Sequence, residues 1–255
     1  MHEVNQPDLQ RFLDNLSRRS LLTQAEQDAI LRLPTQVKQI AANHDFVHLD
    51  ERVEHACFIV EGLVARFDQN GRGERQITAL HIGGDMPDLH TVVQPTATCA
   101  LQALCPTTIL RVPHSDLREA AAAFPAIAEA FWRHSMVDSM ILAQLVVNLG
   151  VRDARSRIAD VFCELACRYG ALPHDGKVVF PLPMTQEHLA EVTGLTAVHV
   201  NRSLMALREM GVLFRGRTVR IEDWDTLVKI GDFNSGYLQR DVAPQERVRI
   251  IPQAA

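Results

Sequence analysis

The chain has 255 residues, 47% of them hydrophobic and 22% charged. That is the make-up of an ordinary globular protein of one large or two small domains, and it excludes a disordered chain. Five scattered cysteines do not make a disulfide framework, and a formal net charge of −5 speaks at first against nucleic acid as a partner.

The N-terminus, MHEVNQPDLQR, is polar and lacks the apolar core of a signal peptide. Residues 8–32 read as an amphipathic helix or helix pair, with Leu9, Phe12, Leu13 and Leu16, then Leu21, Leu22 and Ile30 on its apolar side. From about 37 to 113 short β-rich runs alternate with Gly, Asp, Asn and Pro. The runs are 46–49, 56–60, 63–67, 76–80, 99–104 and 107–112, with hairpin signals at Glu61-Gly62 and Asp68-Gln69-Asn70-Gly71. Regular short strands with turns predict a β-roll or sandwich. Within this stretch, Asp85, Asp88 and His90 of GGDMPDLH form the most suggestive polar cluster for an effector. The competing reading is a solvated turn, where Asp is common because its side chain bonds to the backbone.

Phe124-Pro125 opens a long helical pattern running to about Leu149, with Gly150 as its breaker. Trp132, Met136, Met140, Ala143 and Val147 form one apolar stripe, and Val137, Ile141, Leu145 and Leu149 another on the far side. A helix apolar on two faces needs two partners, so a parallel homodimer is expected along one of them. The longest mostly apolar run, Met140 to Leu149, contains Gln144 and Asn148 and is too short to span a bilayer. A cytoplasmic protein with no membrane partner is therefore expected. The next helix starts at VRDARSRIADVFCELACRYG, with Ile158, Val161, Phe162 and Leu165 on its apolar face. Arg152, Arg155 and Arg157 near its start are either phosphate contacts or solvated arginines. Cys163 and Cys167, at i and i+4, read as core thiols or half a metal site.

Residues 182–221 read as helix, tight turn, helix and two-stranded wing. Thr185 is an N-cap, Glu187 suits the first turn, and Thr193-Gly194 stops the first helix. Thr196 caps the second, whose buried stripe is Val200, Leu204 and Leu207 and whose end is Gly211. Strands at 212–214 and 218–221 flank the turn Arg215-Gly216-Arg217. At 100° per residue Val198 and Arg202 point away from the buried stripe, flanked by His199 and Asn201. Arg can pair with guanine, Asn with adenine, and an apolar group can touch the thymine methyl. The alternative is a three-helix packing unit with a polar outer face, but the wing and both caps fall where a winged helix-turn-helix requires them. The charge supports this reading. Residues 152–221 hold ten Lys/Arg and seven Asp/Glu, a net of +3, which leaves −8 for the remainder. A basic reading head on an acidic body fits local phosphate contacts.

The run QEHLAEVTGLTAVHVNRSL closely resembles the helix-turn-helix of the Crp/Fnr family of bacterial transcription regulators, and FIVEGLV and GGDM are similar to its cyclic-nucleotide-binding-type domain. The resemblance spans roughly residues 10–230. It implies base reading by Ala197, Val198, Asn201 and Arg202, phosphate contact by Thr185 and Gln186, and a partner in RNA polymerase. The family's frequent glutamate falls on Val198, so its best-known half-sites should not be read. The family's Gly-Glu pair for the ribose falls near Pro87-Asp88, and its Arg-Ser/Thr pair for the cyclic phosphate on Thr98-Cys99. Without that arginine a buried phosphate loses about 1.5–3 kcal/mol. Cyclic AMP and cyclic GMP are therefore not expected to bind. An iron–sulfur cluster lacks its cysteines, since none precedes Cys57. A haem- or metal-dependent sensor is the alternative, drawing on His44, His48, His55, His81, His90 and His114 with Cys57, Cys99 and Cys105.

The expected fold is α+β. A cyclic-nucleotide-binding-like β-roll occupies 1–120, a dimerisation helix 121–150, a Crp-type winged helix-turn-helix 151–226, and an irregular tail 227–255. The expected function is sequence-specific regulation by a homodimer on palindromic double-stranded DNA. DNA contact is expected from Thr185, Gln186, Thr196, Ala197, Val198, His199, Asn201, Arg202 and Arg217. An effector of unknown identity is placed near Asp85, Asp88, His90, Thr98 and Cys99. No cofactor is assigned, and no nucleophile elbow, P-loop or dinucleotide fingerprint points to an enzyme.

Overall fold

A computed structural model of the chain describes residues 9–250. The polar N-terminus through Asp8 and the end of the tail from Ile251 lie outside the described residues. The described residues divide into two compact units, the first running up to Val64 and including 81–139 and the segment from Leu238, the second 65–80 with 140–237.

The first unit opens with a helix pair, α1 (Gln10–Ser17) and α2 (Gln24–Leu31). Thr23 starts α2 through a capping box with Glu26, satisfying two donors that a helix start leaves open. Strands β1 (Gln36–Ile40), β2 (His44–Val47), β3 (His55–Glu61), β4 (Leu63–Gln69), β5 (Arg75–Ile82), β6 (Ala100–Ala103) and β7 (Thr107–Pro113) follow. They form two sheets in the orders β1-β7-β3 and β2-β6-β4-β5. Antiparallel neighbours and short connections give the β-roll that the strand spacing predicts. Strand β1 was not among the expected runs. Its sequence, Gln36-Val37-Lys38-Gln39-Ile40, has only two apolar residues, which suits an edge strand.

The core of this unit joins Phe12, Leu13 and Leu16 of α1 to Phe58, Leu110 and Val112 of the sheet. Phe12 packs against Phe58 and Phe131 at centroid distances of 5.9 and 6.0 Å. Helix α3 (His114–Ala123) follows, and α4 (Pro125–Val151) contributes residues to both units. Helix α4 runs through Gly150 rather than stopping there. By length and composition alone α4 is also long and apolar enough to cross a membrane, although the apolar run 140–149 within it is too short to do so. It nevertheless carries Glu129, Arg133 and Asp138.

The second unit holds α5 (Ala154–Tyr169), β8 (Val178–Pro181), α6 (Gln186–Thr193), α7 (Ala197–Glu209), β9 (Val212–Arg215), β10 (Thr218–Ile221) and α8 (Trp224–Gly231). Asp153 caps α5 by accepting from the Ser156 N–H, and Gly170 ends it in the left-handed region. The predicted face of α5 is the core of this unit, with Ile158, Val161, Phe162 and Leu165 all buried. The wing is three-stranded, β8-β10-β9, because Val178–Pro181 pairs along β10. The expected boundary at 226/227 falls inside α8, a helix capped by Asp223. The outer parts of β4 and β5 and their connecting turn also belong to this unit.

Candidate nucleic-acid interface

Local chemistry fixes α6 and α7. The Thr185 side chain accepts from the His188 N–H, and the His188 ring accepts from the Thr185 N–H. This is a capping box with histidine in place of the usual Glu or Gln. Gly194 ends α6 at φ 61°, a conformation that favours glycine, and a Cβ there would lie 3.1 Å from the Leu149 side chain. Thr196 caps α7 by accepting from the His199 N–H at 3.3 Å, while its hydroxyl also meets His199 Nδ1 at 3.2 Å.

One side of α7 is internal. Val200 and Leu207 are fully buried, Ser203 is buried and Leu204 half-buried. The other side is open: Thr196, Ala197, Val198, His199, Asn201 and Arg202 are all exposed, Val198 by 66%. Thr185, Gln186 and Arg217 are exposed too. The structure therefore brings the predicted base-reading residues onto one helix face. It adds Met205, which is 63% exposed and lies seven residues beyond Val198 on the same face. That periodicity is present in the sequence, where a methionine on a helix ordinarily signals core.

The wing turn has Gly216 and Arg217 both at positive φ, 60° and 61°. With Arg215 opposite Thr218, this is the two-residue geometry that keeps a hairpin's twist. Of the three arginines near the start of α5, Arg155 is half-buried, and Arg152 and Arg157 are tied into the unit. Arg152 sits 2.9 Å from Asp160, with 9% of its side chain exposed, and donates to the Asp232 carbonyl. Arg157 donates to the carbonyls of Arg152 and Thr193. Both are structural, which corrects their reading as phosphate contacts or solvated side chains. Burial pushes the Asp160 carboxyl up to about 7, with Arg152 opposing that rise. Cys163 is buried, and burial pushes its thiol up.

The second candidate site lies in the first unit, and one of its polar residues, Asp88, is internal. Asp88 is 3% exposed and accepts from the Cys57 N–H at 2.7 Å, fixing the 3₁₀ turn Leu89–Val92 to β3. Burial pushes its carboxyl up to about 6, and the Cys57 N–H opposes the rise. Asp85 accepts from the Ile82 N–H at 2.9 Å, so it serves its own turn. The buried His81 ring lies between Asp85 and Asp138, at 3.9 and 4.0 Å. His114 meets the Thr91 hydroxyl at 2.9 Å, and burial lowers it to about 4. His90 and Cys99 are half-buried and Thr98 is exposed. The solvated-turn reading of this cluster therefore fails at Asp88, which is internal. Among the described residues, no group of three or more His, Cys, Asp or Glu is placed to hold a metal ion.

Residues 156–230 match the family model of the Crp-like helix-turn-helix domain, and residues 37–124 that of the cyclic nucleotide-binding domain. The chain is 27% identical to the nitrogen fixation regulation protein FixK of Azorhizobium caulinodans over 68% of this chain and 69% of that one. It is 22% identical to an anaerobic regulatory protein of Haemophilus influenzae over 84% and 83%. Among solved structures, FixK2 from Bradyrhizobium japonicum superposes with a TM-score of 0.70 and 26% identity, covering 78% of this chain and 98% of that one. A mutant of CooA from Carboxydothermus hydrogenoformans shares the fold at a TM-score of 0.62 and 19% identity, over 77% and 88%. With both domain matches in the same order, and with relatives that regulate transcription, the chain belongs to the Crp/Fnr family of DNA-binding transcription regulators.

Proposed function

We propose that the protein is a homodimer that reads a palindromic operator, one α7 helix to each half-site. The observation that carries this is the division of α7: Val200 and Leu207 are buried, while Val198, Asn201, Arg202 and Met205 lie exposed on one face. A solvated helix has no use for two large exposed apolar side chains beside Arg and Asn. A major groove does, through thymine methyls and purine edges. Thr185 and Gln186 at the start of α6, with Thr196, Ala197, His199 and Arg217, would contact the surrounding phosphates and sugars.

The dimer reading rests on α4. Trp132, Leu142, Ala143, Val146 and Val147 are exposed along it, whereas Val137 and Ile141 are buried. A second copy would cover that outer stripe. The charged Glu129, Arg133 and Asp138 make a cytoplasmic helix pair a better account than a membrane span. Two-fold symmetry then sets the half-sites about one helical turn apart, on the order of 10 bp. Contact with RNA polymerase follows from the family resemblance. Cyclic AMP and cyclic GMP are not the effector on this reading: Thr98-Cys99 offers no guanidinium to a cyclic phosphate, and the Asp88 carboxyl is buried and already accepts from the Cys57 N–H. Calorimetry should detect no binding of either nucleotide at micromolar concentration.

Selection of duplexes from a random pool by the ligand-free protein tests the main reading. A palindrome with this spacing is the expected product. Enrichment of a single unrepeated motif would overturn the dimer, and enrichment of none, with or without cell extract, would overturn DNA reading by this chain. Sedimentation of the protein and of Val146→Asp checks the α4 seam directly, because the charged variant should run as a monomer.

A further inference from the structure

The last four carbonyls of a helix have no partner within it, and each needs one from elsewhere. At the end of α6 all four are accounted for. Ala190 accepts from the N–H groups of Gly194 and Leu195. Thr193 accepts from the Arg157 guanidinium at 3.1 Å. The other two, Glu191 and Val192, both accept from a single side-chain amide, that of Gln76, at 2.6 and 3.2 Å.

Gln76 is more than a hundred residues away in sequence, on β5, in the hairpin that folds with the second unit. The same nitrogen also lies 2.9 Å from the Ile77 carbonyl, so its two hydrogens are shared among three acceptors, one of them on its own strand. Its neighbour Arg75 reinforces the contact. The Arg75 guanidinium stacks 3.8 Å over the Phe67 ring from β4 and stands 3.7 Å from the Glu191 carboxylate. Gln76 Oε1 also lies 3.7 Å from where a Cβ on Gly194 would be, so the amide covers the turn itself.

We propose that Gln76, supported by Arg75, is a positioning residue for DNA reading. Its amide caps the C-terminal end of α6 and so sets the angle at which the Gly194 turn presents α7. Gln76 makes none of its bonds to the exposed face of α7; it acts through the turn. A donor is required because the group it faces is a pair of carbonyls at the negative end of a helix dipole. A carboxylate of the same shape would be repelled there, and an ammonium would be accepted. This inference deepens the DNA-reading proposal and rests on it.

The test uses the full chain with Gln76→Glu, Gln76→Ala and Gln76→Lys. Two readouts are needed, hydrogen exchange at the amides of residues 194–198 and the ratio of operator to random-sequence affinity. Gln76→Glu should speed exchange at the turn and lower the operator ratio about tenfold, the equivalent of one or two lost hydrogen bonds. The exchange defect should shrink as pH falls and the new carboxyl protonates, because it then regains a donor. Gln76→Ala should show a milder form without pH dependence, and it also serves if the glutamate variant fails to fold. Gln76→Lys should restore both readouts. Unchanged exchange in Gln76→Glu, or an equal loss in Gln76→Lys, would overturn the cap. If the unmodified protein selects no operator, the DNA-reading proposal fails, but the exchange readout still decides whether Gln76 holds the turn.

Discussion

The two units treat polar side chains in opposite ways. On α7, Asn201 and Arg202 stand exposed, in an element whose caps and core are complete without them. In the first unit, the polar cluster that looks most like a site is drawn into the structure. Asp88 fastens a 3₁₀ turn to β3 and Asp85 closes its own turn, while His90 is half-buried. A polar cluster in a loop of a β-roll is thus weak evidence of a ligand, while exposed side chains on a helix already anchored elsewhere are stronger evidence. The contrast also holds for buried carboxyls. Asp160 in the second unit has a cation 2.9 Å away, whereas Asp88 is held chiefly by the Cys57 N–H, with a smaller contribution from Arg111.

The sharpest way to break that contrast is Arg152→Ala. It would leave Asp160 buried without its guanidinium and should cost up to about 3–5 kcal/mol of stability at alkaline pH, where the carboxyl would have to stay charged. The cost has a sign in pH. Burial already holds Asp160 at about 7, and loss of the cation raises it further. The penalty therefore applies in full above that range and fades as pH falls and the carboxyl becomes neutral. Urea midpoints at pH 8 and pH 5.5 check this, with the larger deficit expected at pH 8. Equal deficits at both would mean that Arg152 acts through its bond to Asp232 or through packing.

Asp88 sharpens the same comparison where an N–H, rather than a cation, is the main partner. Its carboxyl titrates at about 6 in the folded protein, against 3.8 for the free group. A raised acid makes its full contribution to stability below the free value and loses it as pH rises through the folded one. For a shift of this size the loss is about 3 kcal/mol. Asp88→Asn keeps the acceptor for the Cys57 N–H and cannot ionise. Stability measured between pH 4 and pH 7 should fall in the unmodified protein, and the variant should lack that component. Parallel curves would show that Asp88 ionises as easily in the fold as in the unfolded chain.

Arg202→Ala probes the exposed side of the contrast. It should leave thermal stability nearly unchanged and weaken the specific site by about 1–3 kcal/mol, relaxing choice at one base pair. Selection from a random pool by the variant measures this, and intact preference at every position would remove Arg202 from the reading set.

The second unit was largely legible because its determinants are local. Thr185, Thr196, Gly194 and Gly211 act within a few residues of where they stand, and the α7 stripe is a plain helical period. The β-roll was legible as strands and turns, except β1, whose charged edge hides its pairing, and β8, which joins the wing only through β10. Long-range partners could not be read. Nothing around Arg152 in the sequence signals Asp160 and Asp232, nothing around Asp88 signals burial under Cys57, and nothing around Gln76 signals a helix end beyond residue 190. Helix α4 continued past Gly150 because one helical glycine costs only about 1 kcal/mol relative to alanine.

The smallest expected effect lies in the wing, where the two kinds of residue meet in one side chain. Arg217 adopts φ 61°, a conformation that costs a residue with a Cβ roughly 1–2 kcal/mol and glycine little. The turn geometry alone would favour glycine there, so an exposed arginine in that position is held against local preference. Arg217→Gly should therefore raise the thermal midpoint slightly while weakening operator binding, and it should reduce the salt slope of binding by about 1, the signature of one lost phosphate contact. A slope unchanged alongside a higher midpoint would place Arg217 off the DNA and leave the reading set to α6 and α7.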